Sequence, residues 1–118
     1  MAWEKFTMTR RSFKPKISIR GKSQIGFNTA AIEDYKLKDY KFAVLYYDKE
    51  NKKVGIKLTN DKDEEGVRKL RVKEAAGASL PARTFIEFYK LGSFSGQRFD
   101  AEWDKQEKMI VVTLTENK

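Results

Sequence analysis

The chain has 118 residues, 40% of them hydrophobic, with two Trp, five Tyr and eight Phe, no histidine, no cysteine and a formal net charge of +8 at pH 7. That length suits one ordinary domain able to bury its own core. The missing residue types exclude disulfides, thiolate metal sites and a histidine general base, and they point to a non-enzymatic protein with no cofactor in a reducing, cytoplasmic setting.

Taken in chain order, the first stretch is basic. Residues 1–22 carry seven Lys/Arg against Glu4 alone, beside Trp3, Phe6 and Phe13, and MAWEKFTMTRRSFKPK lacks the continuous apolar run of a signal peptide or membrane span. Residues 1–59 hold 14 Lys/Arg against six Asp/Glu, whereas residues 60–118 hold 11 of each, so the whole net charge belongs to the first half. Such a concentration suits a polyanion, because each neutralised phosphate releases counterions. A solvated basic tail is the competing reading. Residues 1–14 are read as an arm, in which Arg10, Arg11 and Lys14 would neutralise phosphates. Lys16, Arg20 and Lys22 continue that role into the domain, with Arg20 placed to reach base edges.

Residues 15–118 are expected to form a single domain of two repeats, 15–59 and 67–116, joined by an acidic linker at 60–66. KISIRGK alternates apolar and polar residues as a half-buried strand does, and a short second strand follows around Ile25. Ala31, Ile32 and Tyr35 then share one face of a helix over 29–37, with Asn28 as its cap. A hairpin of KFAVLYYD and VGIKLT, turning through KENK, closes the first repeat. The second repeat runs in the same order. RKLRVKE is its first strand, Leu80 marks its second, and Phe85, Ile86 and Tyr89 define a helix over 82–91 with Thr84 and Glu87 at capping-box spacing. QRFDAEWD and IVVTLT make its hairpin through KQEK. AIEDYKL (31–37) and FIEFYKL (85–91) share five of seven residues. Two copies are too few for a solenoid, so the expected fold is mainly β with two short helices (α+β), a duplicated ββαββ unit closed into one pseudo-twofold domain.

Three local patterns carry no chemistry. RGKS at 20–23 lacks the first glycine of a phosphate loop, since Lys16 stands there. DKDEEG at 61–66 opens like an EF-hand loop, but Val72 takes the position of the bidentate Glu. Glu33 and Glu87 recur at one helix position without any nucleophile or metal cluster beside them.

The segments ASLPARTFIEFYKL and QRFDAEWDKQEKMIVVTL, with SQIGFNTAAIEDYKL and KFAVLYYDKENKKVGIKL as their first-half counterparts, resemble the DNA-binding domain of the AbrB family and its MazE-like antitoxin relatives. Gly26 stands where that pattern has proline. The resemblance implies a swapped-hairpin barrel carrying both units covalently, and DNA ahead of RNA as partner. It assigns contacts to Arg20 and Lys22 in the first unit, and to Arg71 and Lys73 in the second. At the helix sites, where the family has paired arginines, this chain has Ala30 and Ala31 or Phe85 and Ile86, with Arg83 nearby. The expected contact surface is therefore the first repeat together with the arm, in the manner of a transcription regulator.

Between the repeats, one hairpin face differs. Phe42, Val44 and Tyr46 stand opposite Arg98, Asp100 and Glu102. Three readings of the apolar stripe stay open: cover by the arm, a homodimer or protein-partner interface as in an antitoxin or scaffold, or a platform for unpaired bases.

Overall fold

The computed structural model describes residues 14–21, 23–73 and 77–114. Arg10, Arg11 and Lys22 lie outside the described residues, as do Trp3, Phe6 and Phe13.

The order of elements follows from the alternating and helical patterns. Strands β1 (Lys16–Arg20) and β2 (Gln24–Phe27) lead into helix α1 (Thr29–Asp34), a 3-10 turn (Leu37–Asp39) and the hairpin of β3 (Phe42–Asp48) and β4 (Lys53–Thr59). Then come β5 (Arg68–Lys69), β6 (Arg71–Lys73), β7 (Gly77–Pro81), α2 (Arg83–Phe88), a 3-10 turn (Leu91–Phe94), and the hairpin of β8 (Arg98–Asp104) and β9 (Met109–Thr113). The protein is mainly β with two short helices, and all nine strands join in one nearly closed, barrel-like sheet.

The sheet order is β5-β3-β4-β9-β8-β1-β2-β7-β6. Each first strand pairs with the distant hairpin: β1 with β8 through Ile17 opposite Phe99, and β5 with β3 through Arg68 opposite Ala43. The hairpins join along β4 and β9, where Ile56 faces Ile110, and β2 joins β7, where Ile25 faces Leu80. Phe27, Leu37, Ile56, Leu80, Ile86, Ile110 and Val112 are the largest fully buried side chains. They come from both halves, so one core serves the whole domain; each contributes about 1.5–3 kcal/mol through removal from water.

Local chemistry sets the ends of the elements. Asn28 Oδ1 accepts from the Ala31 N–H at 2.9 Å, capping α1, and from the Lys16 N–H at 3.0 Å, tying the helix start to β1. The capping box expected at Thr84 and Glu87 does not form: the N-cap of α2 is Ala82, without a side-chain bond, and Glu87 instead meets Arg83 at 3.2 Å. Both helices are shorter than expected, because Lys36 and Lys90 take left-handed conformations with φ of 53° and 58° and end the turn ahead of the last leucine. At the hairpin loops, Asp48 Oδ1 accepts from the Glu50 and Asn51 N–H groups, and Asp104 Oδ1 from those of Gln106 and Glu107, while Lys52 and Lys108 close the loops at φ of 53° and 55°.

The single strand expected at RKLRVKE is broken in two. Leu70 is buried and donates its N–H to the Lys41 carbonyl at 2.9 Å, so the chain changes partner there, from β3 to β7. The two ends of the nine-stranded sheet are consecutive along the chain, and Leu70 is the joint between them.

Candidate nucleic-acid interface

Strand alternation decides which residues face out around β2. Ile17 and Ile19, Ile25 and Phe27, and Ala78 and Leu80 are buried, so Lys16, Ser18 and Arg20, Gln24 and Gly26, and Ser79 and Pro81 lie on the outer side of β1, β2 and β7. On β6, Arg71 and Lys73 are exposed around a half-buried Val72. Residues directly opposite in an antiparallel ladder share a face. One outward row therefore runs Arg98, Ser18, Gly26, Ser79, Arg71 across β8, β1, β2, β7 and β6. At about 4.8 Å per strand its ends stand roughly 19 Å apart.

The row has a floor of small residues and a rim of arginines. No acidic residue occurs in β1, β2, β6 or β7. Arg20 lies across the middle of the row: a Cβ added to Gly26 would sit 2.6 Å from Arg20 Cζ and 2.8 Å from its Nη2, and closer still to Nε. The same guanidinium reaches toward β7, with Nη2 3.8 Å from the point a Cβ on Gly77 would occupy. In water at this surface the positive groups act as a set, attracting an extended anion more than any one of them does alone.

Candidates from the sequence reading fall at different distances from this face. Arg20, Arg71 and Lys73 are on it. Arg83, the first residue of α2, borders it, because the Ala82 N–H donates to the Ser23 carbonyl at 2.8 Å and holds the helix start beside the β1–β2 turn. Its ion pair with Glu87 is exposed and of the kind worth little. Lys16 sits at the β8 margin, where its Nζ meets Asp100 at 3.2 Å. Lys14 is exposed just ahead of β1, and its carbonyl accepts from Asn28 Nδ2 at 3.1 Å. The second half also contributes to this face, since β6 and β7 lie beside β2 and bring Arg71 and Lys73 to the same side of the sheet as Arg20.

Two further arginines belong here that the sequence reading passed over. Arg98 ends the row, and Arg68 reaches it from β5, its Nη1 donating to the Pro81 carbonyl at 3.2 Å. Nothing in their local patterns marks them. Their membership depends on which strands become neighbours.

The apolar stripe is not one exposed surface. Val44 is 6% exposed, with Gly66 of the linker segment packed close to its Cγ1, and Phe42 is half-buried, so Tyr46 at 44% is the open member. Phe88, 71% exposed, is the most open large apolar side chain among the described residues; its ring meets Tyr89 at 4.9 Å, and Tyr89 meets Tyr47 at 4.5 Å. In the counterpart cluster Trp103 stacks on Tyr35 at 6.0 Å. Burial pushes the Tyr35 hydroxyl above its ordinary range, assisted by the charges of Asp34 and Glu102.

Among the described residues, no helix is long and apolar enough to cross a membrane. No protein-family model, curated protein or solved structure matches the chain.

Proposed function

We propose that this chain is a non-enzymatic nucleic-acid-binding protein, with DNA ahead of RNA, that grips the phosphodiester backbone through the outer face of β1, β2, β7 and β6. One observation carries the reading: four adjacent strands present Arg20, Arg71 and Lys73, bordered by Arg68, Arg83 and Arg98, over small residues and without a single carboxylate. Phosphate contacts of this type supply affinity and register, and they make binding fall with salt.

The architecture proposed with it is a duplicated ββαββ unit of the AbrB-like, swapped-hairpin kind. Supporting it are the recurrence of strand, strand, helix, 3-10 turn, strand, strand, the left-handed lysines at 36 and 90 and at 52 and 108, and the crosswise pairing of β1 with β8 and β5 with β3. In that scheme the β2–β7 seam lies on the pseudo-twofold, and a regulator-like contact with nucleic acid would be centred there.

The test is a mobility shift with duplex DNA across a series of salt concentrations. Each removed phosphate contact should lower the log–log salt slope by about 0.9, so R71Q with K73Q should lower it by about 1.8. Binding by the wild-type chain that is flat between low and moderate salt, or a slope unchanged in the double variant, would refute the phosphate mechanism.

A second reading, a protein-interaction module, draws on exposed aromatics rather than on the basic face. Its support is Phe88 at 71% exposure, together with Tyr46. A copurifying protein lost on F88S, in a preparation free of nucleic acid, would favour it.

A further inference from the structure

The guanidinium of Arg20 is held in an uncommon way. Most exposed arginines keep only their stems on the protein and leave the charged end in water. Here three successive atoms of the planar group, Nε, Cζ and Nη2, all fall within 3 Å of the one point where a Cβ on Gly26 would be. An approach in the plane, by the edge between Nε and Nη2, would leave Cζ the farthest of the three, whereas Cζ is nearer than Nη2, so the point lies off the plane. The plane therefore lies across Gly26, which is buried, while Arg20 itself is an exposed residue. Ser18 and Ser79 flank Gly26 on the neighbouring strands and are too small to overhang it. No ion pair among the described residues draws Arg20 edge-on toward a carboxylate.

We infer that Arg20 is a stacking platform for an unpaired nucleobase, so that the basic face takes single-stranded nucleic acid in preference to duplex. The inference rests on the nucleic-acid reading above and specifies its ligand. Bases stack on the planes of arginine guanidinium groups as they do on aromatic rings, without regard to sequence, while flanking cations hold the phosphates. In a duplex the base faces are occupied by their neighbours, and the plane of Arg20 would meet only backbone. Arg98 and Arg71, roughly 9–10 Å to either side at two strand spacings each, stand where the phosphates flanking a stacked base can be held.

Gly26 is what permits the arrangement. Any side chain there displaces the guanidinium, yet the atoms displaced are the far end of a flexible chain, so the fold itself has no reason to fail. Two variants thus separate plane from charge. R20K keeps the charge and removes the plane; G26A keeps both but lifts the plane from its seat.

The probes are oligothymidylate, an abasic phosphodiester strand of the same length, and a blunt duplex, with binding followed by fluorescence anisotropy at one salt concentration. The wild-type chain should bind oligothymidylate about tenfold or more tightly than the abasic strand, the range expected for stacking one or more bases. R20K and G26A should each bring the ratio of the two affinities to about one, whatever they do to overall affinity, and thermal melts should certify that both remain folded. Oligouridylate in place of oligothymidylate tells RNA from DNA as the source of the base. Equal wild-type affinity for thymidylate and abasic strands, or a preference that survives in both variants, overturns the stacking role while leaving the backbone-binding face intact. If the wild-type chain binds none of the strands even at low salt, the nucleic-acid reading itself falls.

Discussion

Two glycines lie on adjacent strands of the basic face, and the same substitution should have opposite consequences at each. Gly77 has φ of +106°, and a Cβ there would run into the carbonyl oxygen of Phe27 on β2. A non-glycine residue held at such a φ costs about 1–3 kcal/mol in backbone strain. The collision is with main chain that belongs to the β2–β7 ladder, which cannot turn aside as a side chain can, so the total for G77A is about 2–4 kcal/mol. For a domain of this size each kcal/mol is roughly 3–6 °C in Tm, giving a fall on the order of 10 °C or more. Gly26 has no left-handed φ, and its Cβ would meet only the end of Arg20. Alanine in a strand interior is worth about 0.5–1 kcal/mol over glycine, which offsets the displacement of the guanidinium. The net change for G26A should stay within about 1 kcal/mol. Thermal melts followed by circular dichroism, with urea titrations to convert Tm to free energy, measure both. Equal losses in the two variants, or a larger loss in G26A, would refute the assignment of which neighbour can move.

Leu70 is buried at the joint between β5 and β6, so L70A should cost about 2–5 kcal/mol, read as a lower urea midpoint with the slope unchanged; a loss below 1 kcal/mol would show that the joint is not anchored by packing. Asp48 accepts hydrogen bonds from Asn51, side chain first and then backbone, which hold its carboxyl below the usual range. Because the folded value lies below the unfolded one, the stabilisation is present above the ordinary Asp pKa and disappears as pH falls through the depressed value. The Tm difference between the wild-type chain and D48N should therefore narrow on acidification from about pH 5 toward pH 2, and a difference that stays constant would contradict the linkage.

Much of the local architecture is legible in the sequence because it is written in short-range chemistry. The 2-residue alternation of KISIR, the Asn28 cap and the hairpin turns at KENK and KQEK each need only a few neighbouring residues to be recognised. The misses have a common cause in distance along the chain. RKLRVKE reads as one strand because nothing local says that Leu70 will find the Lys41 carbonyl. The left-handed lysines that shorten both helices carry no residue signature, since glycine is the usual occupant of such positions. At the candidate site, Arg20, Arg71 and Lys73 could be named individually, but their convergence depends on β2 lying beside β7. Gly26 looked like a missing proline; its part in seating Arg20 exists only once the two strands are paired.

The crosswise pairing also bears on the moment at which the protein can fold during synthesis. Ile17 reaches its ladder partner Phe99, and Val54 its partner Val112, only once β8 and β9 have left the ribosome. Until β8 and β9 emerge, β1 and β4 respectively lack a neighbour, and the apolar faces of the earlier strands have nothing complete to close upon. Until then the nascent chain carries the isoleucines of β1 and β2 uncovered together with a basic segment, and assembly of the sheet waits on the second hairpin rather than proceeding strand by strand.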